Sequence, residues 1–433
     1  MQIIQQIVFA LCLAVGGYFF YKNVARIRRN ILLGRDEDRS DNKSERFKTM
    51  MKVAFGQTKM AARPIPFILH LLVYLGFILI NIEVLEIVLD GLFGTHRILS
   101  GLGGIYNAAI GFFEILALLV LLACVLFLTR RFISQIPRFH KPEMKGWPTK
   151  DATIILISEI VLMGALLKMN AVDQVLQSMG SEHYTLAGAF PVSQYLTGFF
   201  EGYSESTLIA FERGFWWFHI LGILLFLNFL PFSKHFHIIL AFPNTYYSNL
   251  KPKGKLDNLA TVTNEVKMMM GLPDADSNAP PPESFGAKDV TDLSWKNLMD
   301  SYTCTECGRC TSVCPANLTG KALSPRKIMM DTRDRLEVVG KNLDEGKTDD
   351  GQNLFNHITS EELWACTSCN ACVEACPINI DPLNIIVQMR QYLVMEKSEA
   401  PNELNLMFNN TENNGAPWQF AADDRDAWTK EVK

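Results

Sequence analysis

The sequence predicts an all-α protein in which a bundle of five transmembrane helices is followed by a helical, cysteine-bearing domain. Three observations carry that reading. Five apolar runs each approach the roughly 20 residues needed to cross ~30 Å of hydrocarbon. The loops between them alternate between rich and poor in Lys and Arg. Eight of the ten cysteines lie beyond the last run, in two tight groups.

The runs cover approximately residues 3–21, 65–89, 108–128, 152–170 and 208–230. The first lacks the basic start of a signal peptide; Lys22, Arg26, Arg28 and Arg29 follow it instead. It therefore reads as an uncleaved anchor with its N-terminus outside. Segment 22–63 carries twelve Lys and Arg and segment 129–150 carries six, whereas 90–107 carries Arg97 alone and 171–207 none. Basic loops stay in the cytoplasm, so the expected order is N-terminus out, five spans, C-terminus in, with the cysteines on the cytoplasmic side of a bacterial inner membrane. Within segment 22–63, the stretch from Arg46 to Arg63 mixes Met, Phe and Lys at spacings that suit a helix lying on the membrane surface. A solvated loop is the equal alternative.

Domain limits follow from the change in composition. Residues 1–245 hold the spans, 246–294 a linker with a Pro-rich middle, 295–395 the cysteine domain, and 396–433 an acidic, Asn-rich tail. Trp418, Phe420 and Trp428 in the tail are expected to anchor on a partner surface. No basic stretch alternates with aromatic residues, so no nucleic-acid surface is expected. Cys12 and Cys124 lie inside apolar runs and read as small core residues.

The first cysteine group reads CTECGRCTSVCP and supplies Cys304, Cys307, Cys310 and Cys314; the second reads CTSCNACVEACP and supplies Cys366, Cys369, Cys372 and Cys376. Both follow C-x2-C-x2-C-x3-C-P. A short looped run of this spacing wraps three thiolates around one cubane, and the fourth cysteine, ahead of proline, ligates the other cluster. The expectation is two [4Fe–4S] clusters with crossed ligation. One is held by Cys304, Cys307, Cys310 and Cys376, and the other by Cys366, Cys369, Cys372 and Cys314. Paired zinc sites fit poorly, because zinc takes its four ligands from two separated C-x2-C pairs, often with histidine. A small disulfide scaffold is excluded by the five spans.

Between the groups, SPRKIMMDTRDRLEVVG and ITSEELWAC have helical character. With the run from Leu363 to Val394, the SPRKI stretch resembles the helical ferredoxin domain of the heterodisulfide reductase C subunit over about residues 295–395. The iron–sulfur subunits of succinate dehydrogenase and glycolate oxidase are more distant in this likeness.

In the last span, WWFHILGILLFLNFLPFSKHFH sets His219 and His237 eighteen residues apart. On one continuous helix that is five turns, so both would share a face about 27 Å apart. Such histidines suit axial ligation of haem, or else hydrogen-bond within the bundle. Five spans closed by PFSKHFH resemble the gamma subunit of respiratory nitrate reductase, a di-haem b quinol-oxidising anchor. That resemblance places His219 and His237 at the ligand positions of the last span and His70 at the first ligand of the second span. The second ligand of that span falls on Ile80 here. It therefore implies one haem b between His70 and His237. A second haem, on His219, would take its partner from elsewhere, His96 being nearest in sequence. Glu83, Glu86, Glu114 and Glu159 are ionisable groups within the spans, and one could serve a quinone site.

Taken as function, these features predict an electron-transfer subunit. It would pass electrons between a cytoplasmic redox partner and membrane menaquinone or ubiquinone, through two clusters and haem b. A haem-free anchor whose clusters alone meet quinone is the alternative; a cation-pump subunit, drawn only from the intramembrane carboxylates, stands far behind. No G-x-G-x-x-G precedes a helix. The ten cysteines are all accounted for, which assigns substrate chemistry to a separate subunit. The resemblance suggests a cysteine-rich protein, with an electron-transfer flavoprotein as a further partner.

Overall fold

The computed structural model describes residues 2–278, 284–347, 349–419 and 422–432. The described residues form α-helices and short 3-10 turns, and their one extended pairing is an isolated bridge between Arg35 and Ser294. The first half runs α1 (Gln2–Ile31), α2 (Lys43–Met50), α3 (Pro64–Phe93), α4 (Gly104–Phe132), α5 (Trp147–Ser178), α6 (Glu205–Phe229) and α7 (His237–Tyr246). All of these except α2 and α7 are long and apolar enough to cross a membrane. The second half runs α8 (Ala260–Met269), α9 (Trp295–Thr303), α10 (Pro315–Leu318), α11 (Pro325–Asp344), α12 (Ser360–Trp364), α13 (Ala371–Ala375), α14 (Pro382–Met395) and α15 (Asn402–Asn414).

The helix ends follow local chemistry. Pro64 opens α3 in its first turn, where its missing amide costs nothing, and Gly94 closes it at φ 70°. Ser204 caps α6 by accepting from the Thr207 amide. At its other end Pro231 interrupts the helical ladder, and two 3-10 turns, Leu230–Phe232 and Lys234–Phe236, carry the chain to α7. The expectation of one continuous helix through His219 and His237 is therefore corrected. They sit on different elements, and the five-turn spacing does not describe their relation.

Three buried clusters hold the described residues, the smallest made of Val172, Val175, Leu176, Tyr184 and Leu208. Within the bundle, Phe9, Ile110, Ala117, Leu166 and Trp216 are buried together. The second core joins Ile27 and Ile31 of α1, and Leu230, Phe236 and Leu240 around α7, to Leu298, Ile328, Leu336 and Met389 of the cysteine domain. The cysteine domain is thus seated on the basic end of the bundle. α1 runs past the expected span to Ile31, and there Arg29 pairs with Asp344 while Asn30 donates to the Tyr302 hydroxyl at 2.9 Å.

Three sequence expectations change in detail. The 46–63 stretch is helical, as α2, a π turn over Met51–Phe55 and a 3-10 turn over Thr58–Ala62, but it wedges between bundle and cysteine domain. The end of the 246–294 linker is part of the fold, with Ala287, Val290 and Leu293 fully buried. Its Pro-rich middle, 279–283, lies outside the described residues. The acidic, Asn-rich tail contains α15; Trp418 and Trp428 are exposed, and Phe420 lies outside the described residues.

Candidate metal centres

The two cysteine loops share one backbone design. In each, the residue before the second cysteine is left-handed, Glu306 at φ 55° and Ser368 at φ 54°. The residue after it is left-handed too, Gly308 at φ 70° and Asn370 at φ 62°. These turns curl three cysteines inward within seven residues, a conformation that costs a side chain energy and persists where the surroundings fix it. Pro315 then opens α10 directly after Cys314.

Cys304, Cys307 and Cys310 line a cavity of about 30 Å³ together with Cys372 and Cys376 from the second loop. In the reverse sense, the charge of Cys314 adds to burial in raising the Cys366 and Cys372 thiols, so Cys314 stands beside that pair. Burial pushes Cys304 up to about 12 and Cys376 up to about 11. Sulfurs so placed become thiolates when a cationic centre sits between them. No three His, Cys, Asp or Glu side chains among the described residues converge on a point that could hold a single ion. Cysteines ringing a volume suit a cage of several irons better than one tetrahedral zinc with bonds of about 2.3 Å. Two sulfurs also accept backbone amides, Cys366 from Ser368 at 3.4 Å and Cys376 from Ile380 at 3.3 Å.

His70 and His237 face each other with ring centroids 6.3 Å apart. Two imidazoles on opposite sides of one metal, at bonds of roughly 2 Å, place their centroids roughly 6 Å apart. Each ring is oriented through Nδ1: His70 donates to Gln57 Oε1 at 3.1 Å and His237 to the Lys234 carbonyl at 3.0 Å. That arrangement leaves both Nε2 atoms free for a metal, the usual way an outer partner fixes a ligand histidine. Burial lowers His237, so its imidazole is neutral at pH 7, the form that ligates.

Two hydrogen-bonded routes connect the histidines to the cysteines, and neither was visible in the sequence. The first runs through the turn after α6. Asp151 accepts from the Ser233 hydroxyl at 2.6 Å and the Lys234 amide at 3.0 Å, and Lys234 Nζ pairs with Glu306 inside the first loop. Glu306 also accepts from Arg333 at 2.8 Å. The second runs through the 51–62 segment. Beyond Gln57, Lys59 Nζ donates to the Val373 carbonyl at 3.2 Å and to Asn379 at 3.0 Å, and its carbonyl accepts from Arg309 at 3.5 Å. Arg326 of the SPRKI stretch, fully buried, donates to the Arg138 carbonyl and to Glu143, each at 2.6 Å. The only sequence signal for this set was the density of basic residues in segments 22–63 and 129–150.

His219 is elsewhere, within the bundle. Its Nδ1 donates to the Leu162 carbonyl at 3.0 Å, and its buried Nε2 has no partner among the described residues. His96 bonds Asp173 through Nε2 at 3.0 Å and neighbours His183 and Tyr184, and its buried Nδ1 has no partner among the described residues. Glu83, Glu86 and Glu114 are buried rather than solvated at an interface. Glu86 accepts from Tyr106 at 2.9 Å, Glu114 from the Val192 amide at 2.8 Å, and Arg97 is 4.0 Å from Glu83 and 2.7 Å from Asp173. Glu159 is half-buried.

Comparison with known proteins agrees with this geometry. A family of 4Fe-4S dicluster domains matches residues 303–380. The chain is 27% identical to a probable iron-sulfur-binding oxidoreductase, FadF, of Bacillus subtilis over 98% of its own length and 61% of that protein. It is 28% identical to an EtfAB:quinone oxidoreductase of Syntrophomonas wolfei, over 91% of its own length and 55% of that protein. The C subunit of a CoB-CoM heterodisulfide reductase from Methanosarcina acetivorans is 30% identical over 24% of the chain and 52% of that protein. The chain thus spans less than two thirds of the two long relatives. No solved structure matches. These likenesses and the dicluster motif give the chain an iron–sulfur ferredoxin region similar to that of the heterodisulfide reductase C subunit, and support a place among iron–sulfur oxidoreductases.

Proposed function

We propose that the chain relays electrons between a redox partner on its cysteine-domain side and the membrane quinone pool, through two [4Fe–4S] clusters and one haem b. The observation that carries this reading is the 6.3 Å spacing of His70 and His237 beside the cysteine loops. Both rings are held by Nδ1 hydrogen bonds, and His237 is linked to the first loop through Lys234 and Glu306.

When bound, these groups supply one-electron carriers whose potentials are set by ligands, hydrogen bonds and burial. The chain's own residues hold them. Cys304, Cys307, Cys310 and Cys376 ring the first site, Cys366, Cys369, Cys372 and Cys314 the second, and His70 with His237 the third. Reduction of quinone to quinol takes two electrons and two protons, so the chain passes electrons twice per turnover while water supplies the protons. The basic loops assign the cysteine domain to the cytoplasm of a bacterial inner membrane. The name of the Syntrophomonas relative adds support for a quinone link and for an electron-transfer flavoprotein as partner. Substrate chemistry belongs to a cysteine-rich protein outside this sequence.

The test is a reduced-minus-oxidised spectrum and an iron assay of the purified protein. The proposal expects a b-type haem signal and about eight non-haem irons per chain. A chain with intact clusters and no haem signal is instead the anchor whose clusters alone meet quinone.

A further inference from the structure

The face shared by α5 and α6 carries an open groove of about 540 Å³, lined in part by the exposed Val161, Lys168, Phe211 and Phe218 and separate from the cysteine loops and from the His70–His237 pair. Its floor is made by Gly164 and Gly214, one from each helix, and its walls include Phe211, Phe215 and Phe218. Lys168 lies at its rim, and no acidic side chain lines the groove with it.

The glycines explain the groove. A glycine inside a helix costs about 1 kcal/mol relative to alanine, so it needs a reason. Gly222 has one in close packing, since a Cβ there would meet Leu162 Cδ2 at 2.6 Å. At Gly164 and Gly214 an added Cβ would meet nothing within 4 Å. These two therefore face open space rather than a packed neighbour. The space is also level with His219. Phe215 and Phe218 are its neighbours along α6, and Leu162, whose carbonyl holds His219 Nδ1, precedes Gly164 by half a turn. Lys168 lies ten residues before the end of α5, or about 15 Å, toward the end of the bundle remote from the cysteines.

We infer that this groove is the quinone-binding site, with the aromatic rings and glycine floor taking the quinone ring and Lys168 donating to one of its carbonyls. The inference rests on the quinone reading above and names its site. An apolar slot with one convergent donor matches the chemistry of a neutral, planar, isoprenoid-tailed ligand. A phospholipid headgroup carries a charged phosphate that several donors normally satisfy, and here only one cation is present.

The experiment uses the full chain in lipid nanodiscs with an azido-quinone photoprobe, peptide mapping, and titration with short-chain ubiquinone and menaquinone. Wild type should be labelled within residues 160–168 or 210–218. Lys168→Met and Gly164→Leu/Gly214→Leu should each weaken quinone binding by at least about tenfold. Both should keep the paramagnetic resonance signals of the clusters, and if the double variant loses them, Lys168→Met carries the test. Labelling elsewhere, or unchanged affinity in Lys168→Met, overturns the site while leaving the quinone reading intact. Labelling that phospholipid abolishes and unlabelled quinone does not would assign the groove to lipid and overturn the site as well. A wild-type chain that binds neither quinone overturns the quinone reading itself.

Discussion

Lys234 reaches from the turn after α6 to pair with Glu306 between the first two cysteines, and both side chains are less than a tenth exposed. The same Lys234 offers its carbonyl to His237, so a single residue touches the histidine pair with its backbone and the cysteine loop with its side chain. Removing one member of a buried pair leaves an uncompensated charge, at a typical cost of about 3–5 kcal/mol. Glu306→Gln removes the carboxylate shared by Lys234 and Arg333, leaving Lys234 the Pro148 carbonyl and Asp151 at 3.9 Å and Arg333 only Asp334 among the described residues. It should lower the unfolding free energy of the cysteine domain by up to about that amount. Lys234→Met with Glu306→Leu should recover the part of the loss that comes from Lys234, while Arg333 still lacks its Glu306 partner. Denaturant titration of the single and double variants in detergent checks this, and equal loss in both would show that the pair is not what fixes the loop.

Glu143 and Arg326 tie the α4–α5 loop to the start of α11, with Ser324 adding a hydrogen bond at 2.8 Å. Burial alone would raise the Glu143 carboxyl, but the Arg326 guanidinium and the Ser324 hydroxyl outweigh it and hold the group below its ordinary 4.5. A folded value below the unfolded one means that the stabilisation is fully present above about pH 4.5 and disappears as pH falls through the lower folded value. Wild type should therefore exceed Glu143→Gln in stability at pH 6, and the gap should close as the pH drops below about 4.5. A gap independent of pH over that range would rule out the ion pair as its source.

What the sequence could and could not show divides by the range of the interaction. The five spans and both cysteine motifs are local patterns, and they appear where periodicity and spacing place them. The break after Phe229 was also written locally, in Pro231, yet the histidine spacing was read through it as a continuous helix. Long-range placements carried no such signal. Gln57 reaches His70 from the residue just before the Thr58–Ala62 turn, and Glu306 meets Lys234 from a loop far along the chain. α1 looked like a simple anchor because its apolar run ends near Tyr21, while its polar extension through Asn30 docks on Tyr302. The burial of Glu83, Glu86 and Glu114 depends on Arg97, Tyr106 and Ser193 arriving from other elements.

Cys376 lines the cavity of the first motif and Cys314 stands near Cys366 and Cys372, so on the proposed crossed ligation the loss of either should be felt across the pair. Cys314→Ser should damage the cluster held by Cys366, Cys369 and Cys372, and Cys376→Ser the one held by Cys304, Cys307 and Cys310. Paramagnetic resonance of the two reduced variants, with iron counts against about eight in wild type, makes the comparison. Damage confined to the cluster of the mutated motif would reverse the assignment.

His70 and His237 come from separate elements, α3 and α7, and meet at the end of the bundle where the cysteine domain sits. A bis-imidazole haem needs two rings on facing elements at matched depth, and this pair supplies them at 6.3 Å. His219 lies within the bundle on α6, bonded to Leu162, and shares no contact with that pair. Substituting either His70 or His237 by Ala should abolish the inner haem absorbance, whereas His219→Ala should leave it and remove only a second haem, where one is bound. Gln57→Leu is the finer probe. It deletes the acceptor of His70 Nδ1 without touching a ligand, and outer partners of this kind change metal affinity about 10–100-fold. Haem should then titrate in with weakened affinity and a shifted midpoint potential, while the cluster signals stay as in wild type. Reduced-minus-oxidised spectra of the four variants decide the matter. Wild-type absorbance surviving in both His70→Ala and His237→Ala would leave these two histidines as hydrogen-bonding residues.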